Sequence, residues 1–231
     1  MIHDLPGVGR NLQDHPSIAM VWNADREVTL TNDLRFDRLT RSVIEWGLFG
    51  KGRIANMPVT ANGFIKTRPE LERPDAQCLF QPTSILARPW FPGIKAPQPD
   101  VVAMACVLLR PEGRGWVKLA SADPTDKPRI LANVLSTEND RAFFRRIIPQ
   151  IREILATSPL ADVVKSEMLP GPNVNSLEEM DAWVRQFIGC AMHPVGTCAM
   201  GTGPDAVCDA QLRVRGIDAL RIADASVMPR I

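Results

Sequence analysis

The chain of 231 residues contains no tyrosine and only three histidines, His3, His15 and His193. So short a supply of imidazoles narrows any search for a general base working near neutral pH. No apolar run approaches the roughly 20 residues that a membrane-spanning helix needs. The start, Met-Ile-His-Asp-Leu-Pro-Gly, has neither the basic nor the apolar region of a secretory signal. Charge of either sign is not in excess, since 27 basic and 26 acidic side chains leave a net +1. That balance gives no electrostatic footprint for nucleic acid or acidic lipid. The five cysteines form no C-x-x-C pair, and an odd number in a chain this long points to free thiols in a reducing, cytoplasmic setting. There is no G-x-S-x-G elbow, which removes the usual serine-hydrolase geometry. Gly7-Val-Gly9-Arg-Asn-Leu12 lacks the third glycine and the preceding strand of a dinucleotide-binding turn.

What is present reads as a globular chain, with 45% hydrophobic and 23% charged residues. Residues 4–16, bracketed by Pro6 and Pro16, read as a loop. Residues 17–22 are apolar and suit a strand, as do 101–109, while 115–120 alternate. Helical spacing marks 33–49, with Gly50 and Gly52 as the stop, and a second helix from about Thr137 to Leu155 that Pro149 would kink. A third helix spans 177–188, with Ser176 and Glu179 as a capping box. Residues 53–100 break into short pieces between prolines. Short strands at 212–214 and 220–223 flank a turn at Gly216, and no internal repeat is found.

Three constellations carry candidate chemistry. His193 follows the third helix in a loop of small residues, Cys190 to Gly201, where Gly196 and Gly201 would allow a flat cofactor to come close. It is either a base or a partly buried histidine capping the helix. Cys190, His193, Cys198 and Cys208 have the mixed donor chemistry of a zinc site, but in an irregular spacing. Asp224-Ala225-Ser226 follows the strand at 220–223 and suits either a helix cap or a contact to a polyol or phosphate chain.

Taken together in order, these segments resemble one family. HPVGTCAMG (193–201) and AVCDAQLRVRGIDALRIADASVMP (206–229) resemble the C-terminal part of the glucose–methanol–choline (GMC) oxidoreductases, FAD-dependent alcohol oxidases and dehydrogenases. DLPGVGRNLQDHP (4–16) resembles a second family signature; Gly113-Arg114-Gly115-Trp-Val-Lys-Leu, with Ala122-Asp123-Pro124 and Pro128-Arg-Ile, resembles a third. The likeness is greatest to the choline dehydrogenase and alcohol dehydrogenase branch.

The resemblance implies that His193 faces flavin and substrate and takes the hydroxyl proton, while hydride passes from the alcohol carbon to flavin N5. Asp224 and Ala225 would meet the ribityl–pyrophosphate part of FAD. Asn11, Asp14 and His15 would sit, in a structural role, where the FAD and substrate domains join. The implied fold is α+β. Residues 17–185 form a substrate domain, an antiparallel sheet flanked by helices; 1–16 and 186–231 belong to an FAD-binding domain of the glutathione-reductase type.

The glycine-rich ADP-binding unit of the family is not in these residues, nor is the histidine or asparagine that follows its D-x-S-x-x-P motif. The chain therefore reads as an internal piece that would not hold FAD tightly by itself. Small alcohols are the implied substrates, oxygen or a quinone the implied electron acceptor, and the inner face of a membrane a site of peripheral contact. Two alternatives stand beside this reading: a non-catalytic partner-binding or split-enzyme domain, and the zinc module.

Overall fold

The computed structural model describes residues 3–25, 28–55, 59–84 and 86–231. Met1 and Ile2, the first residues of the expected segment 1–16, lie outside them. The chain divides into two compact units: Met1–Ser17, Leu108–Phe143 and Ile188–Ile231 in the first, Ile18–Val107 and Phe144–Phe187 in the second. The expected domain of 17–185 is thus cut differently, with Leu108–Phe143 grouped with the two end segments.

The second unit is built on a sheet. Its strands are β1 (Pro16–Ala24), β2 (Ala61–Ile65), β3 (Ala76–Gln81), β4 (Val101–Leu108) and β7 (Val164–Leu169), in the order β2-β3-β4-β1-β7. β2 runs antiparallel to β3, and β1 to β7. β1 alternates buried and half-buried side chains, as one-sided burial requires, whereas β4 is buried along nearly its whole length. Expected strands 17–22 and 101–109 are therefore present. β2, β3 and β7 were not expected.

Helices flank this sheet. α2 (Glu138–Leu155) runs on through Pro149, which lies on its exposed side. Phe144, Ile147, Ile148, Ile151 and Leu155 form its buried stripe. Polar ties fix the helix: Arg145 pairs with Asp181 on α4 (Leu177–Phe187), and Arg152 holds Glu167 of β7 through two hydrogen bonds of 2.9 and 3.0 Å. The capping box at the start of α4 forms as expected, with Ser176 N–H donating to Glu179 (2.9 Å) and Glu179 N–H to the Ser176 hydroxyl (3.2 Å). Met180, Trp183 and Val184 are its buried face, while Leu177 and Phe187 stay exposed. A single turn, α3 (Leu160–Val163), leads into β7.

α1 (Phe36–Phe49) is the helix expected within 33–49. It forms, and Gly50 closes it in the left-handed region at φ 62°, but none of its residues is buried. Its polar side, Arg38, Arg41, Ser42 and Glu45, lines a pocket of about 500 Å³ with Asp33, Gly52 and Arg53. Phe36, Val43, Ile44, Trp46, Leu48 and Phe49 are exposed instead. Beside its polar side Arg53 pairs with Asp33 at 3.0 Å.

In the first unit, β5 (Trp116–Lys118) pairs antiparallel with β6 (Arg129–Leu131). A small apolar core of Val207, Cys208, Val214 and Val227 is packed by Leu5, Cys198, Met200, Leu212, Ile217 and Ile222. The expected strands at 212–214 and 220–223 shrink to an isolated bridge, Arg213 with Arg221. Arg114 to Ser136 lie in this unit, and its buried anchor is Asp140, whose two oxygens accept the N–H groups of Glu112 and Gly113, each at 2.9 Å.

Candidate functional site

The segment expected to be a plain loop, 4–16, is a central rung of the first unit. On one side Leu12 and Gly115 exchange backbone hydrogen bonds of 3.1 and 2.8 Å, and Val117 N–H donates to Gly9 (2.7 Å). On the other, Gln13 and Val195 exchange bonds of 3.0 and 2.9 Å, Gly9 N–H donates to Thr197 (2.8 Å), and β8 (Gly189–Cys190) pairs antiparallel with the start of β1, Pro16 with Cys190 and Ser17 with Gly189. Glycine and proline in the sequence hid this rung, because its partners lie about a hundred or more residues away.

This pairing brings the histidine loop against the 11–15 segment. Gly196 shows how tightly: at φ +94°, a side chain there would run into the Asn11 carbonyl. The missing side chain at Gly196 thus serves the close contact with Asn11. Asn11 and Gln13 then reach over to the end of the chain, donating to the Pro229 carbonyl at 3.2 and 3.1 Å.

His193 is exposed, so the alternative of a buried capping histidine does not describe it. Its backbone N–H donates to Asp14 Oδ1 at 3.0 Å, and its ring stands edge to face with that of His15, the centroids 5.6 Å apart. His15 is half-buried, with Nδ1 3.0 Å from the Leu108 carbonyl. A carbonyl only accepts, so Nδ1 carries the proton in the neutral ring and Nε2 keeps its lone pair. Burial pushes the His15 imidazole below its ordinary value, the Leu108 bond opposes this, and the neighbouring His193 adds to the lowering. Sequence reasoning gave Asp14 and His15 only a structural role. A usable signal was there: both histidines precede a proline, His15-Pro16 and His193-Pro194, which biases each to extended backbone.

Asp224 caps a short 3-10 turn, Ala225–Val227, its Oδ1 accepting Ser226 N–H at 2.7 Å. The Ser226 hydroxyl first, and this backbone bond second, hold the Asp224 carboxyl below its ordinary value, so it is ionised at neutral pH. The turn is tied to the histidine loop by Cys198 N–H to the Ser226 carbonyl (2.9 Å) and Met200 N–H to the Val227 carbonyl (2.8 Å). Asp224 and Ala225 are both exposed. An exposed, ionised acceptor beside a residue no larger than alanine fits the hydroxyls of a polyol chain such as the ribityl part of FAD. The zinc reading fails on geometry: among the described residues no three His, Cys, Asp or Glu side chains gather as a metal site, and Cys190, Cys198 and Cys208 are free thiols.

Comparison with known proteins agrees with the arrangement. Residues 111–231 match the GMC oxidoreductase family profile, and the chain belongs to that family. It is 37% identical over 233 residues to oxygen-dependent choline dehydrogenase 1 of Chromohalobacter salexigens, covering 100% of this chain and 41% of that protein. It is 38% identical over 229 residues to the mitochondrial choline dehydrogenase of Mus musculus, covering 98% and 38%. Among solved structures, Aspergillus oryzae formate oxidase superposes with a TM-score of 0.85 at 26% identity, over 99% of this chain and 44% of that one. Pyridoxine 4-oxidase from Mesorbium loti gives 0.76 at 27%, over 99% and 40%. The chain spans about two-fifths of the length of the curated relatives it matches.

Proposed function

We propose that these residues are part of an FAD-dependent oxidoreductase acting on the CH–OH group of a small alcohol, with His193 as the base that takes the hydroxyl proton. The observation that carries this is the exposed His193 imidazole, lifted from a hydrogen-bonded ladder and set beside a second, half-buried imidazole. A bound flavin supplies the hydride acceptor, which no protein side chain offers. His193 does the rest of the chemistry assigned to this chain: removing the hydroxyl proton builds alkoxide character, which favours loss of hydride from the same carbon. Asp224 accepts a hydrogen bond from a ribityl hydroxyl, and Ala225 leaves room for that chain to approach. Segments 1–16 and 186–231 are assigned to the FAD-binding domain, and the sheet and helices within 17–185 to the substrate domain. The substrate is of the class indicated by the names of the relatives, choline among them.

The cytoplasmic assignment is supported by five cysteines, all unpaired. No helix among the described residues is long and apolar enough to cross a membrane. Peripheral contact with a membrane face is supported by the outward apolar side of α1. Failure to sediment with phosphatidylglycerol vesicles would remove that contact. The function itself is tested by expressing the gene with its natural flanking sequence. The purified protein should carry flavin absorbance that bleaches anaerobically with a primary alcohol, and reoxidation by oxygen or by a quinone identifies the acceptor. A flavin that no alcohol bleaches contradicts the reading.

A further inference from the structure

The two segments that carry the histidines run antiparallel, but they do not stay in step. Gln13 is paired with Val195 and Pro16 with Cys190, so three steps along one segment meet five along the other. Ala191 N–H donates to the His15 carbonyl at 2.9 Å, which confines the two extra residues to the stretch 192–194, opposite Asp14. Such a bulge interrupts a ladder and re-aims a side chain. Met192 turns the chain at φ +62°, a conformation that residues other than glycine seldom adopt. Pro194 has no N–H to offer. The His193 N–H is a bulge donor without a ladder partner, and Asp14 Oδ1 accepts it at 3.0 Å. The same oxygen accepts the N–H of His15 at 2.7 Å.

We propose that Asp14 is a positioning residue for His193: one carboxylate oxygen holds the backbone N–H of both histidines, freezing the 192–194 bulge so that the His193 ring stands edge to face against His15. Among the described residues no protein group is hydrogen-bonded to the His193 ring itself. Its direction is thus set by the backbone beneath it and by the His15 ring, which Leu108 anchors in turn. For a proton acceptor, direction is as important as basicity, because a displacement of about 1 Å can cost on the order of 100-fold in rate. The catalytic consequence rests on the reading of His193 as the base; the positioning does not.

The test is made first by NMR on the enzyme expressed from the gene with its natural flanking sequence, before any substrate is added. Wild type should show cross-relaxation between the His15 and His193 ring protons and a His193 amide protected from exchange. Asp14→Ala should lose the ring-to-ring contact and speed exchange of that amide by about 10- to 100-fold, the worth of one hydrogen bond to a charged acceptor. Asp14→Asn keeps an acceptor oxygen and should restore both. Retention of the contact and the protection in Asp14→Ala overturns the proposal. If Asp14→Ala does not fold, the wild-type His193 amide decides, because free exchange in the folded chain overturns the proposal and protection supports it. In the flavin-loaded enzyme, Asp14→Ala should lower kcat about 10- to 100-fold with KM unchanged. A kcat effect absent in both Asp14→Ala and His193→Ala, with the wild-type NMR contact present and lost in Asp14→Ala, would fault the reading of His193 and leave the positioning standing.

Discussion

Replacing Asp140 with alanine would take away the carboxylate on which the 112–113 backbone hangs. Asp140 is 2% exposed, and its oxygens accept Glu112 N–H and Gly113 N–H at 2.9 Å each. It sits in the first turn of α2, where its own N–H donates to the Thr137 hydroxyl at 3.2 Å. A hydrogen bond to a charged group contributes about 1.5–3 kcal/mol, so two such bonds set an upper range of about 3–6 kcal/mol. The cost of burying the carboxylate offsets part of this, and about 3 kcal/mol is the expected net loss. Measured against a domain stability of roughly 5–15 kcal/mol, that is a severe lesion. Urea unfolding should report it, and hydrogen exchange of the Glu112 and Gly113 amides should accelerate by about 100-fold, since each 1.36 kcal/mol is tenfold. Asp140→Asn keeps one acceptor but turns an NH2 toward the second N–H, and should lose about half as much. An alanine variant within about 0.5 kcal/mol of wild type, the range of neutral surface changes, would refute the reasoning.

Gly196→Ala should destabilise by about 2 kcal/mol or more, because alanine is strained at φ +94° and its methyl would meet the Asn11 carbonyl; a urea midpoint unchanged from wild type would contradict this. His15 should titrate below 6.5 in the folded chain, and His193→Gln, by removing the neighbouring imidazole that adds to the lowering, should raise it. Because the folded value is the lower one, the unfolded chain binds this proton first. Stability from this group is full above pH 6.5 and falls as the pH drops from there through the folded value. An NMR titration that places His15 above 6.5 would reverse the sign.

What the sequence made legible was what is decided within a few residues. The α4 capping box needs only Ser176 and Glu179, and the stop of α1 needs only Gly50. The apolar run of β4 identifies a buried strand by itself. β2 (ANGFI), β3 (AQCLFQ) and β7 (VKSEML) were missed because glycine, amide or charged residues interrupt their short apolar content, and only their neighbours in the sheet make them strands. The outward face of α1 could not be foreseen, since spacing shows that a helix is amphipathic and not which side meets the body. At the candidate site, His193 and Asp224 were singled out from their motifs. The Asp14 clamp was not, because it depends on a register slip between segments 179 residues apart in the chain.

The central claim is that the exposed imidazole of His193 is the base for alcohol oxidation. It is tested most directly by rapid-mixing measurement of anaerobic flavin reduction in the His193→Ala enzyme, prepared from the gene with its natural flanking sequence. Removing a positioned general base should slow reduction by about 100- to 10,000-fold while flavin remains bound, and raising the pH, which supplies alkoxide without a base, should recover part of the rate. Reduction at the wild-type rate across the same pH range would contradict the account.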